Sequence, residues 1–292
     1  MRISGNRHIL GWLLISPAVI LLVTFTHYPS VSSFFSSLFS RGNPIRPSKF
    51  VGADQYTAML EDPVFWTVLE NNLIYAAGTI PASIGLALLM AVLVDQMLPG
   101  RAFLRLAYFT PTILPMIAVA NIWLFFYTPE IGLLDQVLRP LGIDTPNWLG
   151  DPSTALWSII FITIWKEAGF FMIFYLAALQ TQSPELKEAA KLEGASAFTF
   201  FRRVTFPLLM PTTLFVLVNA VLNSFKLVDH IFILTKGGPN NASSLILYYI
   251  YETAFSFFDT PYAAALTIVL LGFLALLAFV QFGLLEKRIH YR

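Results

Sequence analysis

The chain has 292 residues, of which 57% are hydrophobic and only 12% are charged, whereas soluble proteins carry about 25% charged residues. This deficit of charge excludes an ordinary water-soluble surface and predicts a membrane protein. The formal net charge of +1 at pH 7 disfavours a nucleic-acid-binding protein, which needs a basic surface to neutralise phosphates. With no cysteine and four histidines, neither a disulfide framework, a cysteine nucleophile nor a metal site is expected.

Six stretches of the chain are long and apolar enough to cross a bilayer as helices, since about 20 apolar residues span its hydrocarbon core. The fourth is exceptional because Lys166 and Glu167 lie near its middle. The first could be a secretory signal peptide, but its apolar run is long and lacks a small-x-small cleavage site. We therefore predict an all-α, multi-pass membrane protein with six transmembrane helices in one domain, residues 1–292. The six spans cover residues 9–27, 71–94, 106–129, 153–179, 204–225 with a continuation past Lys226, and 260–285.

The basic residues near the ends of these spans predict the orientation, because cytoplasmic loops carry an excess of Lys and Arg. One face of the predicted bundle holds most of them, namely Arg2, Arg7, Arg101, Arg105, Lys187, Lys191, Arg202, Arg203, Lys287, Arg288 and Arg292. The other face holds Arg41, Arg46, Lys49, Arg139 and Lys236. Both termini are therefore predicted to lie in the cytoplasm.

The predicted outer connections are long, at about residues 28–65, 128–152 and 234–259. Within the first, residues 30–40 mix Ser with Phe and Leu, which is typical of a helix lying at the membrane interface. We therefore expect a short interfacial helix between the first two spans.

The segment between the fourth and fifth spans, residues 180–207, is charge-dense. Ser183 followed by Pro184 and Glu185 is typical of a helix start, with an N-cap, a proline in the first turn and an acid near the helix N-terminus. Strong helix formers follow, and Gly194 can end the helix in a tight turn. The segment therefore predicts a cytoplasmic helix followed by a turn.

A second short helix is predicted over residues 195–204, ending before Pro207. In the first helix, Ala189 and Ala190 present almost no side-chain bulk, and Glu188 supplies a directed acceptor. This combination favours close docking against a partner. A solvated linker between two spans is the alternative.

The spacing within this loop resembles the EAA loop of ABC-importer permeases, whose usual form is EAA-x3-G-x9-I-x-L-P. Residues 50–56, 62–66, 176–180 and 235–239 are also similar to the carbohydrate and glycerol-3-phosphate (UgpA-like, MalF-like) branch of that family. Together these stretches cover most of the chain. The matching loop residues are Glu188, Ala189, Ala190, Gly194 and Pro207, with Val204 and Phe206 standing where Ile and Leu are usual.

The resemblance implies a type I ABC-importer permease bundle in the bacterial cytoplasmic (inner) membrane. It implies a heterodimer with a second permease subunit, an ATPase dimer, and a periplasmic or lipid-anchored binding protein that delivers a sugar or glycerol-phosphate-type substrate. The EAA residues would couple the permease to the ATPase. Because the sequence has no P-loop pattern, ATP and Mg are expected on the partner ATPase, with no cofactor, metal or catalytic residue on this chain.

Polar side chains inside the spans are candidates for the substrate path, because they are costly in a membrane. In the fifth span Asn219, Asn223 and Lys226, with His230 beyond them, are spaced i, i+4, i+7 and i+11 and are predicted to share one helical face. Asn121 in the third span is a further candidate. Hydrogen bonding between packed helices, or snorkelling of Lys226 to the interface, is the alternative.

Lys166 and Glu167 are adjacent and therefore about 100° apart on a helix. We expect each to have its own partner on another helix or to line a wet cavity. Structural ion pairing is one interpretation, and a place on the substrate path is the other.

The sequence disfavours two other classes of function, an ion-coupled transporter and a membrane enzyme. An ion-coupled secondary transporter of a small polar solute would favour paired intramembrane carboxylates and inverted repeats, whereas Glu167 is nearly alone. A membrane enzyme would need a convergent acid, base or metal set, for which the intramembrane polar residues are too sparse. A permease subunit is the interpretation that the sequence favours.

Overall fold

The structure is a computed structural model that describes residues 4–42, 45, 47–96 and 100–285. Within these residues the chain is helical apart from turns, loops and one isolated antiparallel bridge between Phe39 and Phe50. Five helices are long and apolar enough to cross a membrane, or six if one bent pair is a single span. Some predicted orientation residues lie outside the described residues, namely Arg2, Arg46, Lys287, Arg288 and Arg292.

The helices follow one another with few long breaks, as the apolar spans predict. In chain order they are α1 (Ser4–Leu22), α2 (Tyr28–Ser36), α3 (Asp54–Glu61), α4 (Pro63–Asp95), α5 (Arg101–Ile113), α6 (Met116–Phe126), α7 (Leu133–Leu138), α8 (Ala155–Gln180), α9 (Pro184–Leu192), α10 (Ala197–Phe200), α11 (Phe206–Leu208), α12 (Met210–Lys226), α13 (Asp229–Leu234), α14 (Ile246–Tyr251) and α15 (Thr260–Leu285). Short π turns over Val23–His27, Phe201–Thr205 and Glu252–Ser256 join neighbouring helices, and the 3-10 turn Arg139–Leu141 follows α7.

The chain divides into two compact units. One comprises Met1–Asp62 with Ile250–Gly272, and the other comprises Pro63–Tyr249 with Phe273–Arg292. The prediction of a single domain therefore stays a prediction.

In the first unit, α1 and α2 form one continuous apolar helix over Ile9–Ser36. A helix does form over Tyr28–Ser36 and continues the first span, while its place at the membrane interface stays a prediction. The Ser30 hydroxyl donates to the Thr26 carbonyl at 2.7 Å, so the polar side chain is satisfied by the helix itself. A serine bonded in this way does not stop a helix.

The second unit is built around α4 and α8, which pack against each other, with α12 packed against both. Ala87 and Ala91 of α4 and Ala168 of α8 are fully buried in this core. Small side chains let membrane helices approach closely, which is where van der Waals attraction between them is gained. A second buried cluster surrounds Trp123 of α6.

The predicted third span is not one helix. α5 and α6 are bent by 101° at a break of two residues, where Leu114 is extended with ψ 134° and Pro115 follows with ψ 145°. Proline has no N–H to donate and disfavours helical geometry in the residue before it. The continuous helix predicted over residues 106–129 is therefore wrong, and the break leaves the last carbonyls of α5 without helical partners.

The fifth span is also interrupted. α12 ends at Lys226, Leu227 is extended with φ −81° and ψ 117°, and α13 begins at Asp229. The sixth span matches its prediction, since α15 covers Thr260–Leu285.

Candidate functional site

The predicted docking loop begins with the expected helix. The Ser183 hydroxyl caps α9 by accepting a hydrogen bond from the Glu185 N–H at 3.3 Å, and Pro184 lies in the first turn. The helix ends at Leu192, and Gly194 follows with φ +72°. This left-handed conformation costs glycine no steric energy, which explains why a glycine stands there.

The second part of the loop differs from its prediction. α10 is capped by Ser196, whose hydroxyl accepts from the Thr199 N–H at 3.2 Å, and a π turn leads directly into α11, which contains Pro207. The second helix is shorter than the predicted residues 195–204 and does end before Pro207, but the helical backbone continues through the π turn into α11. Proline is tolerated in a first helical turn, where its missing N–H is not required.

One face of this loop is open to solvent. Glu188 and Ala189 are exposed and Ala190 is half-buried, while the apolar side chains of Leu192 and Phe198 are 91% and 71% exposed. Leu192 and Phe198 stand on either side of the Gly194 turn. The loop therefore offers a surface outside the helical core on which apolar side chains stand beside charged ones.

Lys166 of α8 caps the broken end of α5. Its ammonium group donates to the Pro111 carbonyl at 3.0 Å and to the Leu114 carbonyl at 2.6 Å. A cation at a helix C-terminus is favoured both by the helix dipole and by the orphaned carbonyls. The expectation of a partner on another helix is met for Lys166.

Close approach of α5 and α8 makes this cap possible. Gly169 lies one turn beyond Lys166 on α8, and a Cβ at Gly169 would collide with the Tyr108 carbonyl oxygen of α5. The two backbones are therefore in contact at this point. Gly169 was not singled out from the sequence, although a glycine three residues from an intramembrane charge is a usable signal for close helix packing.

We expect Gly169→Ala to destabilise the protein by about 1–3 kcal/mol, because the added methyl group overpacks the contact with the rigid backbone of α5. Thermal unfolding in detergent measures this loss. Gly85→Ala on α4 is the matched control, since a Cβ there meets no atom within 4 Å and alanine favours a helix. Equal unfolding temperatures for the two variants would contradict the close α5–α8 contact.

Glu167 points to the other side of α8. Its carboxylate accepts a hydrogen bond from the Asn223 amide of α12 at 2.9 Å. Among the described residues the partners of Lys166 and Glu167 are thus backbone carbonyls and an amide, and no ion pair involves either one. The interpretation of a structural ion pair is wrong for this part of the chain.

A small cavity lies beside the Glu167–Asn223 contact, and its lining mixes polar and apolar side chains. Its walls include Ser83 and Thr163 in addition to Glu167, Asn223 and Ser224. Hydroxyl, amide and carboxylate groups therefore converge between α4, α8 and α12 in the middle of apolar helices. Such a cluster is where an intramembrane path for a polar solute would have its contacts.

The other predicted path residues do not join this cluster. Asn219 and Asn121 each donate to the carbonyl four residues earlier in their own helix, Phe215 and Ile117, both at 2.8 Å. Lys226 is exposed at the end of α12. These residues are thus available to a partner or a solute without being committed to another helix of the described chain.

His230 does not extend the face of α12, because the helix breaks at Leu227. Instead it is fully buried, with Nε2 at 3.2 Å from the Tyr75 hydroxyl and its ring stacked on that tyrosine. The Tyr75 hydroxyl is also 2.9 Å from the Thr163 hydroxyl. The prediction of one shared face up to His230 is wrong, and the histidine instead joins a buried network with Tyr75 that meets the Glu167–Asn223 cavity at Thr163.

Two buried asparagines that the sequence analysis did not single out fix the segment after α13. The Asn72 amide donates to the Ser224 carbonyl at 3.2 Å, and its oxygen accepts from the Ile246 N–H at 3.1 Å. Asn71 donates to the carbonyls of Asn241 and Ser244 at 2.7 and 3.1 Å. The sequence signal for these contacts is the adjacent pair Asn71 and Asn72 at the start of an apolar stretch, since buried amides require hydrogen-bond partners.

Asp135 organises the connection between α6 and α8. It is 1% exposed, and its carboxylate accepts from the Glu130 N–H at 2.8 Å and the Trp148 indole at 3.1 Å, with the Arg139 guanidinium also at 3.1 Å. The hydrogen bond from the Glu130 backbone is the largest cause that lowers the pKa of Asp135 below its usual value. A single carboxylate therefore ties several turns of this connection together.

We expect acid to loosen this connection. Because the pKa of Asp135 is lowered in the folded chain, its contribution to stability is present above the unfolded pKa of about 3.9 and is lost as the pH falls through the folded pKa. Unfolding temperatures of the wild type and Asp135→Asn, measured from about pH 7 down to about pH 3, should converge in acid. Asp144→Asn in the same connection, at an exposed position, should follow the wild type throughout.

Residues 83–291 match the family described as "Binding-protein-dependent transport system inner membrane component". The chain is 35% identical over 277 residues to the probable ABC transporter permease protein YurN of Bacillus subtilis, covering 93% of this chain and 94% of the relative. It is 32% identical to the sn-glycerol-3-phosphate transport system permease protein UgpA of Agrobacterium fabrum, with 97% of each covered. It is also 32% identical to the lactose transport system permease protein LacF of Rhizobium radiobacter, covering 95% and 94%.

The fold has a solved counterpart. A chain of a bacterial ABC transporter involved in the import of the acidic polysaccharide alginate matches with a TM-score of 0.87 at 22% identity, over 97% of this chain and 96% of that one. This likeness confirms the predicted all-α, multi-pass permease bundle. The resemblance drawn from the EAA loop is confirmed as well.

Proposed function

Because the chain belongs to the family of binding-protein-dependent transport system inner membrane components, we propose that it is one of two permease subunits of an ATP-driven importer. It forms half of the translocation path and pairs with a second permease as a heterodimer in the bacterial cytoplasmic membrane, with both termini in the cytoplasm. The observation that carries this proposal is the exposed α9 helix, which bears the EAA spacing and ends in the left-handed turn at Gly194.

An ATPase dimer docks on this loop. Glu188 and Ala189 face solvent, and the exposed Leu192 and Phe198 supply apolar area that a partner protein would bury. ATP and Mg bind to that partner, since the sequence contains no P-loop pattern for holding phosphates. Glu188, Ala189, Ala190, Gly194 and Pro207 therefore transmit movement of the ATPase to the bundle.

The proposed substrate is a sugar or a glycerol-phosphate-type solute, delivered by an external binding protein. The names of relatives support this class, since they include sn-glycerol-3-phosphate and lactose permeases. A solved neighbour is an alginate transporter in complex with its pentasaccharide-bound periplasmic protein, at a TM-score of 0.84. Amides and hydroxyls, as found around Glu167 and Asn223, suit recognition of hydroxyl groups.

Asn223→Ala tests the path. The substitution removes the hydrogen bond to Glu167, and a hydrogen bond to a charged group is worth about 1.5–3 kcal/mol. We therefore expect a roughly tenfold change in the concentration of substrate–binding-protein complex that gives half-maximal uptake. Thr110→Ala is the matched control, because that hydroxyl lies outside the proposed path and bonds only its own helix among the described contacts. Unchanged uptake kinetics in Asn223→Ala would exclude the Glu167–Asn223 cluster from the path.

Purification from the native host tests the assembly itself. The chain, extracted in mild detergent, is expected to retain a second permease and an ATPase, identified by mass spectrometry, and to hydrolyse ATP. Glu188→Ala should lose the ATPase, whereas Glu61→Ala, an exposed acid on α3, should keep it. A chain that purifies alone without hydrolysis would instead indicate an ion-coupled secondary transporter.

A further inference from the structure

A cavity of about 1030 Å³ lies on the inner side of α9, between that helix and the ends of α4, α5 and α8. Three cationic side chains line it, Arg105 of α5 and Lys187 and Lys191 of α9, against a single carboxylate, Asp95. The described lining therefore carries an excess of positive charge. Its polar remainder consists of the side chains Gln96, Gln180, Gln182, Ser183 and Thr205.

The cations and one amide of this lining have no partner of their own. Among the described residues no ion pair involves Arg105, Lys187 or Lys191. The Gln182 amide nitrogen is buried and makes no hydrogen bond to the described chain. A buried donor without an acceptor is costly, so the cavity combines uncompensated charge with an unsatisfied donor.

An anion with several acceptor oxygens would complement the cations that line the cavity. Lys187 and Lys191 are four residues apart and so stand on one face of α9, where like charges repel each other. Arg105 of α5 lines the same cavity. A phosphate group would accept hydrogen bonds from the guanidinium and from both ammonium groups, relieving the repulsion.

We propose that this cavity binds a phosphate-bearing anion between α5 and α9. The bound anion links the coupling helix to the end of the broken third span. A lipid headgroup and a free phosphate share this chemistry, and both can reach a cavity that opens beside the ends of membrane helices. The site adjoins the surface of α9 that docks the ATPase, since Ala190 lines the cavity while Glu188 and Ala189 do not. Its occupancy is measured without any transport assay.

The test uses the purified transporter in nanodiscs of zwitterionic lipid, with or without phosphatidylglycerol, and with or without inorganic phosphate. Native mass spectrometry counts retained phosphatidylglycerol, and thermal unfolding reports stabilisation by either probe. Arg105→Gln lies outside the coupling loop, and Lys187→Gln/Lys191→Gln removes the two cations that α9 contributes to the cavity. Arg202→Gln/Arg203→Gln is the matched control, because it removes two exposed charges from the same loop without touching the cavity lining.

Wild type and the Arg202/Arg203 variant should retain the anion, and each cation removed from the cavity should weaken binding about fivefold, the equivalent of about 1 kcal/mol for a basic residue near an anionic headgroup. Stabilisation by phosphatidylglycerol alone identifies the headgroup as the source, and stabilisation by inorganic phosphate identifies the free anion. Equal losses in the cavity and control variants, or no effect of either probe on the wild type, would overturn the site.

Discussion

Replacing Lys166 with methionine is expected to destabilise the second unit by about 3–5 kcal/mol and to abolish coupled transport. Methionine fills a similar volume but donates no hydrogen bond, so the carbonyls of Pro111 and Leu114, which accept from Lys166 at 3.0 and 2.6 Å, lose their partner. Hydrogen bonds to a charged group are each worth about 1.5–3 kcal/mol, and an orphaned buried acceptor adds its own penalty. The broken end of α5 then has no cap.

Thermal unfolding and ATP hydrolysis of the reconstituted complex measure this effect. Lys226→Met is the matched control, because that lysine is exposed at the end of α12 and its removal should cost less than about 0.5 kcal/mol. Lys166→Arg should recover part of the stability, since a guanidinium can also donate to carbonyls. If Lys166→Met unfolded at the wild-type temperature, the capping role would be refuted.

The second large effect is expected at Gly194. Valine there has open space, because a Cβ meets no atom within 4 Å, but a β-branched residue is strongly disfavoured at φ +72°. The turn after α9 should therefore change its backbone conformation and alter the orientation of α9. We expect ATP hydrolysis to continue while uptake falls by about five- to thirtyfold, the equivalent of a strain of about 1–2 kcal/mol.

Gly194→Asn separates the conformational effect from the loss of glycine as such. Asparagine adopts the left-handed region more readily than other residues, so this variant should keep most of its uptake. Hydrolysis and uptake are measured on the same proteoliposomes containing the complete transporter. Normal coupling in Gly194→Val would remove the loop from the mechanism.

The contacts of the intramembrane charges show how far local reasoning reaches. Helical geometry alone predicts that Lys166 and Glu167 point to different neighbours, and they do. Which neighbours they meet could not be predicted. Lys166 meets a helix end that exists only because α5 breaks, and Glu167 meets an amide 56 residues away in the chain. Both contacts depend on how α5, α8 and α12 pack.

The breaks in the third and fifth spans show the same limit. Pro115 was visible in the sequence, yet prolines in membrane helices are often accommodated within a continuous helix, so the 101° bend was not predicted. At Leu227 no breaking residue stands. There His230 is buried against Tyr75. It therefore does not share the face of α12 that holds Asn219 and Asn223.

The sequence by itself determined that this protein is a helical membrane permease and where its coupling loop begins and turns. Those features depend on apolar length, on the Ser183 cap and on the glycine at position 194, all of which act within a few residues of the chain. Only the tertiary structure decided which polar groups meet, because buried donors and acceptors find partners on distant helices. The cap at Lys166, the Glu167–Asn223 contact and the cationic cavity behind α9 all arise in this way.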